Sequence, residues 1–108
     1  MAKKPEYKLR FFADDTQLLW GSSDIAKKQY GYSIDPEDLP ISAGLVKELN
    51  NLGCENINKR VESSLQLEKR IENAYKLLVK LRQELGDSFE IEDLYEKFAQ
   101  RDWKRSNN

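Results

Sequence analysis

A chain of 108 residues holds one domain around one hydrophobic core. Hydrophobic residues make up 39% and charged residues 34%, so the core is small and any long helix presents charge over much of its surface. With 18 basic against 19 acidic residues the net charge is −1, which argues against wholesale attraction to nucleic acid or to a membrane surface.

The charge is unevenly spread. Seven basic residues face nine acidic ones over 1–58, seven face four over 59–85, and two face six over 86–102. A basic helix therefore lies between acidic segments. The single cysteine, Cys54, excludes an internal disulfide and a cysteine-based metal site, and fits a reducing compartment. No apolar run follows Met-Ala-Lys-Lys-Pro, and no stretch is apolar for long enough to span a bilayer. The expected setting is cytoplasmic.

In chain order, Tyr7, Leu9 and Phe11 alternate with Lys8 and Arg10 as in a half-buried strand, and Phe12 implies that the far face is covered at that end. Ala13-Asp14-Asp15-Thr16 has turn chemistry. Gln17-Leu18-Leu19-Trp20 reads as the returning strand of a hairpin, although so short an apolar run also fits a buried helical turn. Ser23 or Asp24 caps a short helix from Asp24 to Tyr30 that stops at Gly31, with Ile25 and Tyr30 as its apolar contributors. Tyr32 to Pro40 contains two prolines, which forbid a continuing helix or a central strand. It reads as an ordered loop with a turn at Pro36-Glu37-Asp38, pinned by Tyr32, Ile34, Leu39 and Ile41.

Ser42 caps a second helix, Ala43 to Leu52, with Gly53 as its stop. A third helix is expected from about Asn56. Its strongest stripe, Leu67, Ile71, Ala74, Tyr75, Leu78, Leu81 and Leu85, ends at Gly86, and Lys69, Lys76 and Lys80 lie on the opposite face. Ile57, Val61 and Leu65 form a second row roughly 100° around the axis, so the helix either meets two partners or bends near Ser63-Ser64. That row is also a candidate homodimer contact. Phe89 and Ile91 alternate with Glu90 and Glu92 as a short strand; a helix starting at Asp87, with Glu90 completing a capping box, is the alternative. A last helix covers Asp93 to Trp103, and Lys104 to Asn108 reads as a frayed polar tail.

Phe12-Ala13-Asp14, Leu19-Trp20-Gly21 and Tyr30-Gly31-Tyr32-Ser33-Ile34-Asp35-Pro36-Glu37-Asp38-Leu39-Pro40 resemble a group of small bacterial proteins without an assigned activity. Leu81 to Ile91 resembles the way that group ends, with a helix feeding a strand. The resemblance covers about half the chain and implies a strand at 88–92. Members often carry a Trp-containing, proline-rich segment before the long helix, where this chain has Gly53-Cys54-Glu55-Asn56. Similar small acidic α+β proteins act as immunity partners of bacterial toxins, an analogy of style rather than of motif.

Catalytic chemistry finds no constellation. Histidine is absent, so the commonest general base and metal ligand is missing. Cys54 at the start of a helix would be activated, but a lone cysteine is more often inert. Asp14-Asp15, and Asp35 with Glu37 and Asp38, lack the spacing of a calcium loop; they suit an acidic patch for a basic partner better than a metal site. Trp20 and Tyr32 are candidate aromatic anchors beside these turns, and Trp103 is a candidate exposed anchor near the chain end. The basic helix face, with Lys59 and Arg60 toward its start, lacks interleaved aromatics and is diluted by Glu62, Glu72 and Glu84.

The sequence therefore predicts an α+β domain in which helices pack on one face of a three-stranded sheet made of a hairpin and the strand after the long helix. The expected function is a non-enzymatic protein-binding module of immunity or antitoxin type, without cofactor or metal. Its partner site is Asp14, Asp15, Trp20, Tyr32, Asp35, Glu37 and Asp38. Nucleic-acid binding through Lys69, Lys76 and Lys80 is the alternative.

Overall fold

The computed structural model describes residues 6–58 and 62–106. The alternation at the start forms β1 (Tyr7–Asp14), and the turn at Asp14–Gln17 returns the chain as β2 (Gln17–Gly21). Ser23 caps α1 (Asp24–Tyr30), its hydroxyl accepting from the Ala26 amide. The inward position of α1 is filled by Ala26, while Ile25, expected to pack, is 55% exposed. A two-residue strand, β3 (Ser33–Ile34), precedes a 3-10 turn at Pro36–Asp38. Then come α2 (Ala43–Asn58), α3 (Ser64–Leu85), β4 (Phe89–Asp93) and α4 (Tyr95–Ser106).

The sheet is mixed and four-stranded, in the order β3-β2-β1-β4, rather than three-stranded. β4 runs parallel to β1, with Leu9 opposite Ile91, and the strand reading of Phe89 to Glu92 holds. The additional strand is β3, antiparallel to β2, with Ile34 opposite Leu19. Two residues ahead of a proline are too few for period-two alternation to register, which is why this edge strand is silent in the sequence.

The boundary between α2 and α3 also differs from expectation. Gly53 does not stop α2; it lets the Thr16 carbonyl of the hairpin turn approach the helix so closely that a Cβ would collide with it. Cys54 is thus inside α2 and exposed, not at a helix N-terminus. The long helix starts later, at Ser64. Ser63 and Gln66 form a capping box at 3.1 and 2.9 Å, and non-helical Glu62 and Ser63 end the ambiguity of the two stripes by an interruption of the helix rather than a bend. At its other end Gly86 takes φ 75. Glu84 reaches back to the Ser42 amide at 2.6 Å and hydroxyl at 3.0 Å, placing a carboxylate at the positive end of α2.

One apolar cluster fills the molecule. Leu9 and Phe11 of β1, Leu19, Ile34 and Ile91 face Leu49 and Leu52 of α2 and Leu67, Ala74, Leu78 and Leu81 of α3. Tyr95 of α4 stacks on Phe11 with ring centroids 5.5 Å apart. Tyr75 and Tyr32 were expected inside and are 57% and 66% exposed.

Arg70 takes a place on the buried stripe of α3. Its guanidinium grips the Glu62 carboxylate through Nε at 2.9 Å and Nη2 at 3.0 Å, and donates through Nη1 to the Tyr95 hydroxyl at 2.7 Å. The Trp103 indole donates to the Glu62 carbonyl at 2.6 Å. That bond ties α4 down, so residues 104–106 continue the helix instead of fraying, and Trp103 is a half-buried packing residue rather than an exposed anchor.

Candidate functional site

The pleat that turns Leu9 and Phe11 inward turns Lys8, Arg10 and Phe12 to the opposite face. Register then places Arg10 between Trp20 and Glu92, and Lys8 beside Glu90. The ion pairs Lys8–Glu90 at 3.9 Å and Arg10–Glu92 at 3.5 Å are solvent-exposed and contribute little stability. This face of the sheet also carries a strip of rings. Phe12 stacks on Trp20 at 5.1 Å, Trp20 meets Tyr32 edge-on at 5.6 Å, and Phe12 meets Phe98 of α4 at 4.9 Å. The Trp20 indole N–H donates to the Phe12 carbonyl at 3.1 Å, so any anchoring by Trp20 is through its ring and not its donor. Arg101 lies over the Phe98 ring at 4.6 Å.

The acidic bends meet at one end of this sheet. Asp14 and Asp15 form the hairpin turn, with Asp15 at φ 57, a backbone region that Asp tolerates better than most residues. β3 runs antiparallel to β2, so its exit at Asp35 comes back alongside that turn. Asp35 accepts from the Glu37 amide at 3.0 Å and holds the 3-10 turn that presents Glu37 and Asp38. Thr16, Gln17 and Leu18 from the first bend and Asp35 and Pro36 from the second line one depression of 240 Å³, closed by Leu49, Asn50 and Cys54 of α2. All five carboxylates are exposed. Among the described residues none of Asp14, Asp35, Glu37 and Asp38 forms a salt bridge.

Of the seven sequence-predicted partner residues, Trp20 and Tyr32 meet through their rings, and Asp35 is the one carboxylate among the five that lines the recess between the two bends. Asp14 and Asp35 follow Phe12 and Tyr32 by two and three residues. Phe12 and Phe98 extend the ring strip and were not in the predicted set. The break in alternation at Phe12 was the available signal for one of them.

The basic face of α3 looks different. Lys76 pairs with Glu72 at 3.3 Å and Lys80 with Glu48 at 3.3 Å. The groove between α2 and α3, of 530 Å³, has Leu52 and Leu77 among its lining, and its walls carry both signs. Lys59, Arg60, Val61 and the side chain of Ile57 lie outside the described residues; Leu65, the third member of that row, is 59% exposed. Glu62 and Ser63 are not helical, so Ile57 in α2 and Leu65 in α3 do not share a helix. Among the described residues no three His, Cys, Asp or Glu side chains are grouped to hold a metal ion, and no helix is long and apolar enough to cross a membrane.

Fold and surface together define a small α+β domain of four helices and a four-stranded mixed sheet, with Phe98 of α4 reaching the ring strip on the sheet face that Lys8, Arg10 and Phe12 share. No protein-family model matches the chain, and no curated protein matches it.

Proposed function

We infer that the chain is a non-enzymatic protein-binding domain of the cytoplasm, immunity- or antitoxin-like, that covers a basic partner with the acidic end of its sheet. The observation that carries this reading is convergence. The hairpin turn that carries Asp14 and Asp15 and the bend at Asp35 to Asp38, 20 residues on, line one recess through Thr16, Gln17, Asp35 and Pro36, and among the described residues Asp14, Asp35, Glu37 and Asp38 form no salt bridge. Carboxylates outside internal ion pairs add to a field that steers a cationic surface and rejects an anionic one. The Tyr32 and Trp20 rings beside them supply apolar contact area at low entropic cost. The nucleic-acid alternative is the weaker reading, because Lys76 and Lys80 already have carboxylate partners.

The test is affinity capture followed by titration of the partner it identifies. Capture is expected to be lost with Asp35, Glu37 and Asp38 all changed to Lys, and kept with Lys76→Glu. The opposite pattern, or retardation of DNA or RNA that collapses steeply with added salt, would replace this reading with the nucleic-acid one.

A further inference from the structure

The recess between the acidic bends has walls as well as a rim. Pro36 gives it an apolar side over the nearly fully buried Leu18 and Leu49, and Asp35, Gln17 and Asn50 bring polar groups to it. Small-molecule sites occupy about 300–1,000 Å³, whereas this recess holds 240 Å³. Its size suits one side chain better than a free metabolite. An apolar side with a carboxylate beside it matches a long cationic residue, whose methylene stem lies along that side while its head keeps a charged partner. Asp35 engages the Glu37 amide through Oδ1, and its Oδ2 has no hydrogen-bond partner among the described residues. A carboxylate beside two side-chain amides suits a planar fork of donors better than a point charge.

We propose that the recess receives one arginine side chain from a projecting segment of the basic partner. This rests on the reading that the partner is basic, and it adds where the partner's key residue goes. Gly53 is part of the device: it brings the hairpin turn against α2, and that approach sets one side of the recess.

Cys54 lines the recess and is the single cysteine, so its alkylation by uncharged iodoacetamide reports occupancy. The probes are hexa-arginine and hexa-lysine peptides on the full chain at low salt. A cationic peptide that merely lies nearby favours the thiolate and speeds alkylation; a side chain seated in the recess slows it. Hexa-arginine is expected to slow Cys54 alkylation several-fold, with hexa-lysine clearly less effective.

Asn50 is exposed on α2, so Asn50→Trp fills the recess with little strain on the core, and Asn50→Lys places a cation in it. Each should weaken hexa-arginine binding about tenfold. So should Asp35→Asn, which keeps the capping oxygen and removes one charge-assisted bond. Suppose hexa-arginine binds and is lost on Lys substitution at Asp35, Glu37 and Asp38, yet Cys54 is not protected and Asn50→Trp binds as before. The recess proposal then fails while the acidic-surface reading stands. Equal protection by hexa-lysine overturns the arginine assignment, and no binding of either peptide overturns both readings.

Discussion

Arg70 shows how much one residue can change the reading of a helix. It lies three residues after Leu67 and four before Ala74, squarely on the buried stripe, beside Ile71, which is half-buried against the same core. With the Arg70 and Glu62 side chains 5% and 10% exposed, the pair is held by geometry rather than by solvent. Removing the carboxylate of such a pair leaves the buried guanidinium without its counter-charge, at a cost of about 3–5 kcal/mol. Glu62→Met is therefore expected to lower the urea midpoint strongly, and Glu62→Met combined with Arg70→Met to recover part of the loss. If the double variant were no better than the single one, the pair would not be the source of the cost.

The third member titrates. Burial raises the Tyr95 hydroxyl above its ordinary pKa of 10.0; the Arg70 charge and hydrogen bond pull the other way without winning, and the Glu62 carboxylate adds to the rise. For Arg70, burial opposes the charge, but the bonds to Glu62 and Tyr95 outweigh it, so the guanidinium also stays above its usual value. A raised tyrosine pKa means that the native state keeps a proton the unfolded chain releases. Its stabilising share is complete below pH 10.0 and is lost as pH climbs through the folded value. Urea midpoints measured from pH 9 upward should fall less steeply for Tyr95→Phe than for the natural chain. Near neutral pH the same variant should lose about 1–2 kcal/mol, for the missing bond to Arg70.

At the scale of elements, two glycines in α2 make opposite predictions. Helix propensity alone makes Gly→Ala stabilising by up to about 1 kcal/mol. Gly44 has open space where its Cβ would stand, so Gly44→Ala should raise the melting temperature. Gly53→Ala drives a methyl into the Thr16 carbonyl and should instead destabilise by about 1–3 kcal/mol, as overpacking does. Equal gains at both sites would show that the hairpin turn does not press on α2. This contrast also explains what was legible in the sequence. Period-two and period-3.6 patterns found β1, β4 and most of α3, because each buries one face of a regular element, whereas α1 was legible from its Ser23 cap and Gly31 stop and not from Ile25, which is exposed. Glycine is ambiguous on its own: it marks a stop at Gly31 and a close approach at Gly53, and only the distant Thr16 decides between them. The α2–α3 boundary was readable in principle, since Ser63 and Gln66 have capping-box spacing, but apolar residues on both sides outweighed it.

For the molecule as a whole, the candidate site was legible only as residue types. Asp, Pro and aromatic residues flagged two bends, whereas their meeting depends on the antiparallel return of β3, which is too short to be seen in sequence. The same sheet leaves neither edge open to a foreign strand. β3 is ended by Pro36, and at the other edge Arg82 of α3 donates to the Ile91 carbonyl of β4 at 2.8 Å, occupying a group that a foreign strand would otherwise take. Arg82→Ala should then do two things. It should cost about 1.5–3 kcal/mol, the worth of a hydrogen bond made by a charged group. It should also leave the β4 edge free to pair with another copy, giving concentration-dependent association in sedimentation experiments, while Arg82→Lys, which keeps a donor and a charge, should associate far less. A variant that loses stability yet sediments as one species at every concentration would mean that Arg82 fastens α3 to the sheet without guarding its edge.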